Sequence, residues 1–127
     1  MLHEHWNHRA HLGVASCLVF EDPVAALDNV RTGIQRLNAH FNIPQTPEGG
    51  YHETLTRCWV VLIRSLLAQD PCQTREALAN TALEQFSDKA YLLLFYTRER
   101  IISSEARYGW LEPDLQPLPL VGPSAAP

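Results

Sequence analysis

A chain of 127 residues, 46% hydrophobic and 19% charged, has the size of one compact domain, expected over 1–120 with a loose tail at 121–127. Its formal charge of -4 excludes a broad basic face for phosphate backbones, so nucleic acid is not an expected partner. No apolar run reaches the ~20 residues that cross a bilayer, and the first residues lack the basic-then-apolar order of a secretion signal; a cytoplasmic protein with no membrane partner is expected.

Asn7 can cap a first helix over residues 8 to 20, with His8, Leu12, Ala15 and Val19 on one stripe and His11 on its flank. Asp22-Pro23 reads as a cap followed by proline at the first helical position, and Val24, Leu27, Val30, Ile34, Leu37 and Phe41 carry the second helix. Pro44, Pro47, Gly49 and Gly50 then punctuate a loop. The third helix, residues 51 to 69, is apolar around much of its circumference below a polar first turn, which marks it as central. Asp70-Pro71 repeats the restart signal for a fourth helix ending near Phe86. Beyond it come a short apolar segment over 90 to 96, capped by Ser87-Asp88, and a last helix from Ser103 or Ser104 to about Trp110. Five prolines in the seventeen residues from Leu111 exclude helix or central strand there.

These signals predict an all-α fold, a compact up-and-down bundle of four to six helices with a Pro-rich extended C-terminal tail. In such a bundle the start of the first helix, the end of the second and the start of the third share a pole, which gathers His8, His11, His40 and His52. His8 and His11 have the i, i+3 spacing that aims two imidazoles at one point, and His52 is the candidate third ligand for a divalent ion: zinc, iron, manganese or copper. Three nitrogens leave an open position for water or substrate. Glu53 is the candidate catalytic carboxylate, as a ligand or as a base that orients bound water. Adjacent residues on a helix diverge by about a hundred degrees, so one of His52 and Glu53 is expected outside the inner ligand set unless the helix starts between them or the metal lies at its tip. His40 lies on the flank of its stripe and is the weaker member. The competing reading is that these histidines are satisfied locally by carboxylates or carbonyls.

Two templates are excluded by their letters. His52-Glu53 opens like HExxH, but Thr56 stands where the second histidine belongs, and no ExxH pair of the di-iron type exists. Met1-Leu2-His3, with His5 near it, can bind copper or nickel adventitiously at a free amine. Arg98, Arg100 and Arg107, interleaved with Glu99 and Glu105, read as a salt-bridge net before they read as an anion site. Trp6, Tyr51, Trp59 and Trp110 could wall a pocket beside the histidines. Cys17, Cys58 and Cys72 form no CxxC pair, and Cys72 behind Asp70-Pro71 occupies an expected helix start where its thiol would be acidified.

Over WNHRAHL (6–12), YHETLT (51–56) and the block from Tyr96 to Leu118, the chain resembles a family of small bacterial helical proteins in which HxxHL and YHETxT recur. The resemblance covers His8, His11, Leu12, Tyr51, His52, Glu53, Thr54 and Thr56, and leaves out His40. It implies no particular activity, cofactor or substrate. Two functions are therefore expected in competition. One is a small metal-dependent enzyme that activates water or oxygen for a small-molecule substrate. The other is a non-enzymatic helical adaptor or regulator, possible as a homodimer, that uses its C-terminal strap and the 90–96 segment.

Overall fold

A computed structural model of the chain describes residues 6–119. The expectations placed on Met1 to His5 and on 121–127 lie outside the described residues. The elements are α1 (His8–Glu21), α2 (Ala26–His40), α3 (Glu53–Gln69), α4 (Arg75–Phe86), a 3-10 helix (Lys89–Leu94), α5 (Arg98–Ile101) and α6 (Ser104–Tyr108). No strand occurs among the described residues apart from a single bridge between Thr46 and Gly49. The all-α bundle expected from the periodicity is the fold observed. No described helix is long and apolar enough to cross a membrane.

α3 occupies the middle, packed against α1, α2, α4 and α6. Its Cys58, Val60, Leu62 and Ile63 are almost wholly enclosed, each aliphatic side chain contributing ~1.5–3 kcal/mol by leaving water. Leu12, Ala15 and Val19 of α1, Val30 and Ile34 of α2, and Leu78, Ala82 and Phe86 of α4 close around it. Leu94, Ile102 and Leu115 stay exposed.

The caps explain where the helices begin and end. Asn7 accepts from Ala10 N–H, as the sequence suggests. The two Asp-Pro signals, by contrast, mark turns that precede the helices by several residues. Asp22 Oδ1 accepts from Val24 and Ala25 N–H and so spends its capping capacity on a turn, and α2 begins only at Ala26. Asp70 closes α3 through its own N–H to Leu67, while Thr74 supplies the cap of α4 by accepting from Ala77 N–H. Cys72 therefore sits in an exposed turn and not on a helix N-terminus, which removes the expected cause of an acidified thiol.

α2 ends in a left-handed Asn42 (φ 56°), with Ile43 N–H donating to Asn38 O and Asn42 N–H to Ala39 O; Pro44 follows and prevents continuation. This cap turns the chain back across the pole toward α3. Gln45 then clamps Tyr51 from both sides, its Oε1 accepting from Tyr51 N–H (2.8 Å) and its Nε2 donating to Tyr51 O (3.1 Å). Gly50 is required between them: at φ 89° its missing Cβ would stand 2.8 Å from Pro44 O.

Residues 111–119 lie as a strap across the bundle. Tyr96 OH donates to Leu111 O (2.6 Å), Leu115 N–H to Phe95 O (2.9 Å), and Asp114 accepts from Thr97 N–H and Oγ1 (2.8 and 2.7 Å). The basic cluster is tied in the same way. Arg100 donates to Glu112 O, and Arg107 to Pro47 O and Gly50 O. No ion pair joins Arg98, Arg100 or Arg107 to a described carboxylate, so the expected salt-bridge net is replaced by arginines serving backbone carbonyls.

Candidate functional site

The up-and-down order brings the start of α1, the end of α2 and the start of α3 to one pole, and a cavity of about 390 Å³ opens there. His8, His11 and His52 all line it, with Trp6, Tyr51 and Trp59 as aromatic walls. His40 does not; it is exposed in the last turn of α2, its ring against Phe41.

His52 forms the N-cap of α3. Its Nδ1 accepts from Leu55 N–H (3.0 Å), so the proton of the neutral ring resides on Nε2, which donates to Ile101 O at 2.9 Å. Both nitrogens are occupied. Burial holds the ring's pKa below its ordinary value, outweighing the pull of the Ile101 carbonyl. The sequence offered this residue as a ligand because three histidines on converging faces suggested a common partner; the structure gives it two partners of its own, a helix end and a loop carbonyl.

His8, on the first turn of α1, packs its ring 5.0 Å from that of Trp59 and directs Nε2 at Phe86 O (2.8 Å), an open carbonyl at the end of α4. A carbonyl accepts only, so Nε2 carries the proton and Nδ1 the lone pair. Desolvation lowers its pKa.

His11 differs from both. Its ring meets the edge of Trp6 at 4.2 Å between centroids, and Trp6 is itself anchored by Nε1 donating to Asn38 Oδ1 at 2.7 Å. The Nε2 of His11 is buried and has no hydrogen-bond partner among the described residues. Desolvation, assisted by the nearby His8 and Lys89, pushes its pKa down to about 4, so the ring is neutral at physiological pH.

Glu53 faces away from this cavity. Arg31 grips it with two parallel bonds, Nε to Oε1 at 2.8 Å and Nη2 to Oε2 at 2.6 Å, while Tyr51 OH donates to Oε1 at 2.7 Å. Arg31 holds its carboxyl below the usual range, and Tyr51 is driven the other way by burial and by that carboxylate. Glu53 lines a second, more open cleft of about 490 Å³ with Arg31, Gln35 and Trp110. Its side chain is only 16% exposed and every short bond it makes holds it in place. The expected divergence of His52 and Glu53 is thus realised as two separate cavities, with Tyr51 and Arg107 lining both.

Of the four aromatics expected as pocket walls, Trp6, Tyr51 and Trp59 serve; Trp110 instead lies under the Arg57 guanidinium, 4.3 Å from its centroid, beside the second cleft. Among the described residues no group of three or more His, Cys, Asp or Glu side chains is placed to hold a metal ion. Cys58 is no candidate nucleophile, since burial pushes its thiol up to about 12.

No family model, curated protein or solved structure matches this chain. Sequence reasoning missed Asn38, Lys89 and Arg31. The first two reach the cavity from elements whose register on the pole follows from the loop caps, and nothing local to residue 31 points to residue 53.

Proposed function

We infer that this chain is a helical small-molecule-binding protein whose ligand occupies the cavity between α1, α2 and α3. The buried Nε2 of His11, without a hydrogen-bond partner among the described residues, carries this reading. Leaving such an atom unsatisfied costs about 1–3 kcal/mol, a cost that a ligand removes by hydrogen bonding to it. The surroundings support the same reading: the volume falls within the range of small-ligand sites, and indole and aliphatic walls alternate with polar groups from several elements. Trp6 and Trp59 suit a planar apolar body whose polar head meets His11.

The test uses a Trp110→Phe variant, in which Trp6 and Trp59 are the only remaining indoles. Titration with benzyl alcohol, benzamide or benzoate is expected to change their emission saturably and to raise the unfolding midpoint by mass action. No saturable change with any of the three overturns the reading.

A second reading rests on the same nitrogen. The Nδ1 of His8 and the Nε2 of His11 are uncommitted among the described residues and lie three residues apart on one helix, so a zinc, iron, manganese or copper ion would take them first. His52 and Glu53 would join only by breaking their present bonds, and a metal-dependent enzyme activating water or oxygen requires at least one of them to do so. Protein lacking residues 1–5 that binds zinc stoichiometrically, and loses it on His11→Gln, would support this reading; absence of binding rejects it.

A further inference from the structure

The charge around the cavity runs against the charge of the whole molecule. The chain carries -4, yet of the described residues lining the cavity Lys89 and Arg107 are cationic and none is acidic. Arg107, half-buried on α6, gives its hydrogen bonds to backbone carbonyls of the loop beneath and pairs with no described carboxylate. Lys89, at the start of the 3-10 helix, makes no hydrogen bond or ion pair with a described residue, and its charge is felt by both His8 and His11. Positive potential thus converges from two separate elements on a partly desolvated space, where counter-charges attract more strongly than in water.

We propose that the ligand is a small aromatic or otherwise planar organic anion, its acid group seated against the Nε2 of His11 and drawn there by Lys89 and Arg107. The inference rests on the ligand-binding reading above and specifies the chemistry of the same site. With its proton on Nε2 the neutral imidazole donates directly to a carboxylate oxygen, while Lys89 and Arg107 supply the counter-charge. The groups facing His11 set the terms. His8 on its own helix and Lys89 oppose protonation. From the base of α3, Tyr51 is held as a neutral phenol, and His52 is committed to Leu55 and Ile101. Asp88 acts on His8 only, with a weaker influence than Lys89. His11 is therefore neutral and meets the anion as a hydrogen-bond donor.

Benzoate and its uncharged analogue benzyl alcohol separate the claims by isothermal titration of the full chain at pH 7.5. Benzoate is expected to bind about tenfold more tightly than benzyl alcohol, and added salt should weaken benzoate alone. His11→Leu, which removes the donor, should weaken benzoate several-fold, and His11→Gln, which keeps a hydrogen-bonding side chain, should recover part of the loss. Lys89→Met should weaken benzoate several-fold without affecting the alcohol. Benzyl alcohol binding without benzoate binding overturns the anion inference and leaves the ligand-binding reading standing; binding of neither overturns both. Benzoate affinity unchanged in His11→Leu overturns the assignment to His11.

Discussion

Acid sensitivity of the fold should change measurably when His11 is replaced by glutamine. In the unfolded chain this imidazole titrates near its ordinary 6.5, whereas in the folded protein it titrates near 4. Between those values the unfolded state binds the extra proton, so stability falls as pH drops below 6.5 and the fall ends around 4. For one such group the difference integrates to about 2.5 kcal/mol between pH 8 and pH 4.5, trimmed to about 2 by solvent reaching the cavity. His8 and His52 are displaced in the same direction and remain in the variant, so some acid lability persists. The informative quantity is therefore the gap between urea midpoints at the two pH values, compared between parent and His11→Gln. With a urea dependence of roughly 1.5 kcal/mol/M for a chain of this size, the gap should narrow by about 1.3 M in the variant. An unchanged gap would show that the ring is solvated or paired in the folded state, and the argument from its orphaned nitrogen would fall with it.

Glu53→Gln should cost about 1–2 kcal/mol in urea unfolding at pH 7, because the Arg31 fork and the Tyr51 hydroxyl lose their anion; the difference should shrink on acidification, as the lowered folded-state pKa of Glu53 stabilises only where the carboxylate is charged. Benzyl alcohol affinity in the histidine cavity should stay within twofold, and a large loss would return Glu53 to that site. His52→Ala should cost about 2 kcal/mol by removing both the α3 cap and the Ile101 tether, while His52→Asn recovers about 1 by restoring the cap; equal stability of all three proteins would contradict the structural role.

Most of the helical frame was legible because it is written locally. The stripes of α1 and α3 follow from 3.6-residue spacing, and the convergence of His8, His11 and His52 on one pole follows from antiparallel packing. The Asp-Pro starts were misplaced because an aspartate can serve a turn as readily as a helix, and Thr74, the cap that α4 uses, gives no stronger local signal. Ring commitments were out of reach for a different reason. The partners of His8 and His52 are the carbonyls of Phe86 and Ile101, 78 and 49 residues away, and a carbonyl has no letter in the sequence. Arg31 escaped because its pairing with Glu53 is a tertiary consequence of how α2 leans on α3. The arginines near the C-terminus deceived by their alternation with glutamates, which suggested ion pairs where backbone oxygens were the destination.

The bonds from His52 to Ile101, from Thr54 to Gly109 and from Arg107 to Pro47 span 49, 55 and 60 residues. Each closes a long loop whose entropy has to be spent before the bond returns anything. During synthesis, α1 to α4 emerge and can collapse on one another while the segment that seals the pole is still being made. The container therefore matures after its frame: a nascent chain halted before residue 101 would hold His8 and His11 against neighbours already made, while His52 waited for the Ile101 carbonyl and the cavity for Arg107.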